Sequence, residues 1–286
     1  MDGILIVNKP SGITSHDVVA KARKMLNTQK IGHVGTLDPL ATGVMVLCVD
    51  KALKLAEFMV SETKSYRAVA KLGATSDTGD AEGKLTQVIA RALPLSRPLL
   101  EKELAKLEGK QIQIPPKYSA IKIKGKPAYK RVREGEDFEM PEREIEIFAM
   151  HLIRFEWPEL EFKIKCSSGT YVRSVVETLG ENLKCGAYLS ELKRTRAGAF
   201  TLKDACELNE ISEKKLLPAS RAIEHLKRIK VADTQLEDIR HGKAISTTER
   251  FSSDPGLIAL MSGSEVVAVA KYDAEKFTLL PTKVLI

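Results

Sequence analysis

Long apolar runs are missing from this 286-residue chain. With no stretch of about 18 apolar residues, no membrane-spanning helix is expected. The start, MDGILIVNKP, has an acidic second residue and only four consecutive apolar residues, too few for a signal peptide. Cysteine is scarce: Cys48, Cys166, Cys185 and Cys206 stand apart, without a C-x-x-C pair. The five histidines show no H-x-x-x-H, so neither a zinc site nor a disulfide framework is signalled. The phosphate-cradling patterns G-x-x-x-x-G-K-S/T and G-x-G-x-x-G are also absent, which argues against a triphosphate or dinucleotide cofactor. Together these absences predict a soluble cytoplasmic protein that carries no metal and no cofactor.

What is present points to two units and a polyanionic partner. A prior of roughly 100–200 residues per domain suggests two domains, and 43% hydrophobic residues suffice for a core. The net charge of +7 is unevenly spread. Lys110 to Arg133 holds eight basic residues and no acidic one, whereas Arg228 to the end balances eight against eight. A charge run is usually a solvated surface. Here Pro115-Pro116, Tyr118 and Tyr129 accompany it, and lysines that neutralise phosphate beside aromatics that stack on bases read as an RNA-contacting flap, about residues 110–135.

The opening GILIVNKPSGITSH reads as strand, turn and helix, with Ser15 as N-cap. GVMVLCV is a buried strand, KALKLAEFMV has helical spacing, and KSYRAVAKLG alternates as a half-buried strand. A short helix is expected over Leu99–Gly109, then strands in REIEIFAMHLIRFEW and ELEFKIKCSSG. In TYVRSVVETLGENL, Val172, Val175, Val176, Leu179 and Leu183 mark one helix face, with Arg173 off it in the first turn. GATSDTGDAEGK is a polar turn, not a calcium loop: counted from Asp77, the third, fifth and twelfth places hold Gly79, Ala81 and Val88. From about Arg228 the chain turns to short β-like pieces, a small domain over residues 228–286 after a larger one over 1–227.

Asp38, in TLDPLATG, admits two readings. Asp-Pro turn chemistry explains it without function, since Asp caps its turn and Pro presets φ. A carboxylate held by a tight turn beside a buried strand is also placed as a nucleophile must be. Burial raises a carboxyl pKa, so keeping it ionised calls for a cation such as Arg173.

NKPSGITSHDVV, KIGHVGTLDPLATGVMVL, KSYRAVAKLGATSDTGDAEG, IPPKYSAIKIKGKPAYKRVREG and CSSGTYVRSVVETLGENLKCGAYLSELKRTRAG, in this order and followed by a β module, resemble the TruB-type tRNA pseudouridine synthases. The likeness spans essentially the whole chain. GTLDPLATG and GTYVRS are its specific segments, and the β module resembles a PUA domain. The resemblance implies an α+β fold: a mixed, largely antiparallel sheet with flanking helices, plus a small C-terminal β-barrel-like PUA domain. It implies isomerisation of uridine 55 in the T-loop, with the tRNA T-arm stem-loop as partner, no membrane, no cofactor and a monomer. By it, Asp38 is the catalytic carboxylate, Tyr66 stacks on the flipped base and acts as or near the base at C5, and Arg173 pairs with Asp38. His33, Tyr171, Leu192 and Lys9 belong to the substrate site, and Lys122, Lys124, Lys126 and Lys130 to the RNA backbone.

Overall fold

The computed structural model describes residues 1–59, 63–88, 95–251 and 254–286. The run ILIV explains the first layer. In strand β1 (Gly3–Lys9) Leu5 and Val7 face one apolar cluster while Ile4 and Ile6 face another. After helix α1 (Ser15–Met25) and strand β2 (Ile31–Val34), strand β3 (Thr42–Val49) repeats the pattern, with Met45, Leu47 and Val49 against Val44, Val46 and Cys48. A strand covered on both faces loses polar alternation, which is why both read as continuous apolar runs. KALKLAEFMV is a 3₁₀ turn, Asp50–Leu55, running into α2 (Ala56–Met59); Val60 lies outside the described residues.

The alternation expected of KSYRAVAKLG appears in β4 (Lys64–Leu72). A small ladder, β5 (Ala74–Ser76) with β6 (Leu85–Gln87), encloses the polar turn. Helix α3 (Arg97–Ala105) is capped by Ser96 and leads to β7 (Gly109–Gln113). The flap holds a hairpin, β8 (Lys122–Ile123) and β9 (Lys126–Pro127), and helix α4 (Ala128–Arg133). Strands β10 (Arg143–Glu156) and β11 (Glu159–Cys166), helix α5 (Val172–Asn182) and β12 (Ala187–Ala197) follow. Two short strands, β13 (Phe200–Thr201) and β14 (Cys206–Glu207), close this part.

The main sheet runs β14-β1-β3-β12-β4-β11-β10-β7. Only β1·β14 and β3·β12 are parallel, so it is mixed and largely antiparallel, as expected. One edge of β3 is shared. Val46–Val49 pair with β2, whereas Thr42 and Gly43 pair with Lys193 and Arg194 of β12. At this fork the chain cannot stay in the ladder, and residues 35–41 are expelled as a loop carrying Asp38.

A second, five-stranded sheet has the order β15-β17-β18-β19-β16, from β15 (Lys227–Lys230), β16 (Ile245–Ser246), β17 (Leu257–Ser262), β18 (Glu265–Asp273) and β19 (Thr278–Val284). The chain enters it at Lys227, in a strand that composition alone did not disclose. Short helix α6 (Leu236–Arg240) sits between its strands. Ala259, Met261, Val266, Val269 and Leu285 share the cluster of Ile4, Ile6, Val44 and Val46, so the two sheets join through apolar packing.

The N-cap of α1 is Thr14, in a reciprocal box with Asp17, one residue earlier than expected. Ser15 turns inward instead. Helix α5 has the expected core face, and Gly180 lets it approach β12: a Cβ there would lie 2.2 Å from the Ala187 nitrogen. Gly180→Ala is therefore expected to destabilise the fold by roughly 3 kcal/mol, the upper end for overpacking, because a backbone atom cannot rotate away. A fall in the urea midpoint checks this; an unchanged midpoint would show that the helix can slide outward.

Candidate active site

The expelled loop is pinned from beneath. Lys9 is fully buried, and its ammonium donates to the carbonyls of Ala41 at 2.7 Å, Pro39 at 3.0 Å and Pro10 at 3.0 Å. The Ser15 hydroxyl both donates to the Leu37 carbonyl and accepts from the Leu37 amide, each at 2.9 Å. The loop backbone is thus fixed on both sides of Asp38, whose side chain stays one-third exposed. Lys9 was expected in the substrate site, supporting it from the amino-terminal strand. Its three donors are used on main-chain carbonyls, so what it supports is the loop backbone.

Arg173 approaches the carboxylate from the first turn of α5. Its Nη2 lies 3.0 Å from Asp38 Oδ2 and donates to the Tyr118 carbonyl at 2.9 Å; its Nη1 donates to the Thr78 carbonyl at 2.9 Å and lies 3.5 Å from Asp80 Oδ2. The heptad pattern leaves Arg173 off the core face, yet it is only 3% exposed. The 77–84 turn covers it. That turn is docked on β12 by Ala81 N to Leu189 O and Leu189 N to Gly79 O, and Gly79, at φ +75°, packs where a Cβ would meet Glu177. Asp80 is buried and spent on the turn, accepting from Thr78 Oγ1 at 2.6 Å and from the Glu82 amide at 3.1 Å. Sequence reading tested this segment only for calcium and missed Asp80.

The start of α5 is also stitched to the base of the flap. Gln113 exchanges two hydrogen bonds with the Tyr171 backbone, and Ser174 donates to the Ile114 carbonyl. Tyr171, half-buried, has its phenol pKa pushed up, first by burial. On the sheet, Tyr66 of β4 and Leu192 and Arg194 of β12 stand on one face: Arg194 is paired directly with Tyr66, and Leu192 with Ala68 two residues on. His33, on β2, contacts Thr36 Oγ1 at 3.1 Å and stacks edge-on with His16. Its pKa is lowered by burial, then by His16 and Arg194.

The electrostatics follow from this packing. Burial raises the Asp38 pKa above the ordinary carboxylate value; Arg173 opposes that, Asp80 adds to it, and Lys9 opposes it more weakly. Burial raises the Tyr66 phenol and the Arg194 charge works against it. Asp38 is therefore a partly desolvated carboxylate with one fixed cation, a group that can act as nucleophile or base without a metal.

The basic flap is less free than its charge count suggested. Lys126 forms ion pairs with Glu134 and Glu136, and Arg131 pairs with Glu136 and donates to the Ile123 carbonyl. Lys122, Lys124 and Lys130 are exposed. Lys126 thus departs from the expected free phosphate ligand, because the two glutamates just beyond the run fold back on it.

Comparison with known proteins places the chain in a family. The model of the TruB family pseudouridylate synthase N-terminal domain matches residues 23–172, and that of the tRNA pseudouridylate synthase B C-terminal domain matches residues 173–229. The chain belongs to the TruB family. It is 39% identical to tRNA pseudouridine synthase B of Syntrophomonas wolfei over 95% of this chain and 93% of that protein. It is 36% identical to the Geobacillus thermodenitrificans protein of the same name, covering 99% of each. Among solved structures it resembles a Cbf5-Nop10-Gar1 complex chain at 25% identity and TM-score 0.74, covering 99% of this chain and 85% of that one. An H/ACA RNP bound to a substrate RNA containing 2'-deoxyuridine gives TM-score 0.76 at 24% identity with the same coverage, a likeness of fold. The α+β pseudouridine synthase fold of the TruB family is thus the scaffold of this site.

Lys9→Met is expected to cost about 3 kcal/mol, since it strands buried carbonyls that had a charged donor. Burial holds the Lys9 pKa at about 8, against 10.5 when unfolded. Between those values the unfolded chain binds more protons, so wild-type stability rises with pH relative to the variant. Urea unfolding of both proteins at pH 7 and pH 9 checks the sign; a gap that narrows at pH 9 would contradict it.

Proposed function

We propose that this TruB-family enzyme isomerises uridine to pseudouridine in tRNA, at position 55 of the T-loop, through Asp38. The reading is carried by one observation: a carboxylate one-third exposed, on a backbone pinned at both sides, with a buried arginine 3.0 Å away. The names of its relatives, tRNA pseudouridine synthase B, supply the substrate class. The reaction breaks N1–C1′, turns the uracil and joins C5 to C1′, with no group lost and no net redox change. A stacked loop base must first be extruded, costing a few kcal/mol. In this reading Tyr66 and Leu192, on one face of the sheet, offer the stacking surface, and Tyr171 and His33 contact the extruded uridine. Asp38 attacks C1′ or C6 or takes the 2′ proton; each route needs it ionised, which Arg173 favours.

In this reading the partner is the T-arm stem-loop, bound by a monomer in the cytoplasm. Residues 1–227 do the chemistry, and residues 228–286 form a PUA-like RNA-binding module. The deciding experiment is incubation with unmodified tRNA transcript followed by chemical mapping of pseudouridine. Asp38→Asn keeps the turn's size but has no nucleophile or base. It is expected to abolish product while tRNA affinity stays within a few fold; appreciable pseudouridine from a pure preparation would refute the aspartate mechanism.

The flap yields a separate expectation. Replacing Lys122, Lys124 and Lys130 with Gln should flatten the slope of log affinity against log salt by roughly 0.7 to 0.9 per lost phosphate contact. Lys126→Gln alone should change it little, because Glu134 and Glu136 already neutralise that cation. Titrations at several salt concentrations separate the two, and equal effects would return Lys126 to the phosphate ligands.

A further inference from the structure

We propose that Arg194 is a positioning residue for this reaction: a single guanidinium that clamps both ends of the Asp38 loop and sets that loop against Tyr66. Arg194 sits at the fork itself. On β12 it pairs with Gly43 of β3 on one side and with Tyr66 of β4 on the other. Its Nε donates to the Val44 carbonyl at 2.7 Å and its Nη2 to the Gly35 carbonyl at 2.9 Å, so one side chain spans the loop's two ends. Both ends lie close to this residue: Gly43, at φ +98°, packs on its main chain, where a Cβ would be 2.2 Å from the Arg194 carbonyl oxygen, and Gly35, at φ +76°, faces its guanidinium, where a Cβ would be 3.3 Å from Nη1.

The side chain is 1% exposed, and no carboxylate among the described residues is ion-paired with it. Burying a cation without a counter-ion is expensive, and a lysine would fill much of the same space. What a lysine cannot do is direct donors along two fixed, diverging axes, as the planar guanidinium does. Lys9 and Ser15 hold the middle of the loop and Arg194 holds its ends. The geometry that results fixes the distance between Asp38 and the stacking face of Tyr66, which a reacting uridine must bridge.

This inference rests on the aspartate reading, so its test runs with Asp38→Asn in parallel. Arg194→Lys keeps the charge and loses the fork. With unmodified tRNA transcript, kcat is expected to fall about 10- to 100-fold, the scale of a misplacement near 1 Å. KM and tRNA affinity should stay near wild type, the signature of an interaction used only in the transition state, while the thermal midpoint falls by a few degrees because a carbonyl that Arg194 served loses its donor. A kcat within two-fold of wild type overturns the clamp, as does a loss of kcat matched by an equal loss of tRNA affinity. Should Arg194→Lys not fold, Gly35→Ala decides by the same criteria, since its methyl presses on Nη1 at an exposed loop end. An inactive Asp38→Asn beside a fully active Arg194→Lys removes the clamp alone; an active Asp38→Asn removes the aspartate reading and the clamp with it.

Discussion

Everything at this site is organised by the burial of the Arg173 guanidinium. A cation taken out of water costs several kcal/mol unless partners replace its hydration. Here the partners come from three separate stretches of chain: Asp38 from the loop, Thr78 and Asp80 from the turn, and Tyr118 from the flap base. Each can satisfy the guanidinium only by coming to it. The loop, turn and flap are therefore held at fixed distances by one side chain's need for counter-ions and acceptors. Only Nε is left without a partner.

The two carboxylates on Arg173 are not equivalent. Asp80 is sealed in, its Oδ1 used by its own turn and its Oδ2 set against Arg173, whereas Asp38 keeps a third of its surface open. Asp80 thus anchors the cation and Asp38 is the carboxylate on Arg173 that stays open to solvent. On the far side of the loop, Lys9 and Arg194 address carbonyls, fixing direction without forming an ion pair with Asp38. Desolvation consequently outweighs the cations in the net pKa direction of Asp38. The carboxylate is positioned strongly and neutralised weakly.

How much of this was legible follows from what pattern can encode. The doubly covered strands β1 and β3, the core face of α5 and the alternation of β4 are local periodicities, and the sequence carries them openly. Asp38 and Arg173 were legible through a family resemblance and through the argument that a buried carboxylate wants a cation. Arg194 and Asp80 were not. The register of β12 slips between Leu189 and Glu191 and again between Arg194 and Arg196, so its alternation is broken where the informative arginine lies. Asp80 sits in a Gly-rich polar turn that resembles any surface loop until β12 is seen to receive it. Ser15 was misread by one residue because Thr14 and Ser15 are equally good caps; Asp17, three residues after Thr14, decides between them.

The same lesson governs charge. Counting along the chain, residues 110–133 carry eight cations and no anion, yet Glu134 and Glu136 fold back on Lys126 and Arg131. In the interior the count errs in the same direction: Lys9, Arg173 and Arg194 add to the formal net charge but are each 3% exposed or less. A linear count thus overstates the flap and assigns to the surface cations that instead hold the Asp38 loop. The exposed cations of the flap are lysines such as Lys122 and Lys124, on the hairpin whose turn at Lys124 and Gly125 takes positive φ, and Lys130 on α4. Charge at the surface and charge that builds the interior are separated here by burial, and only the fold distinguishes them.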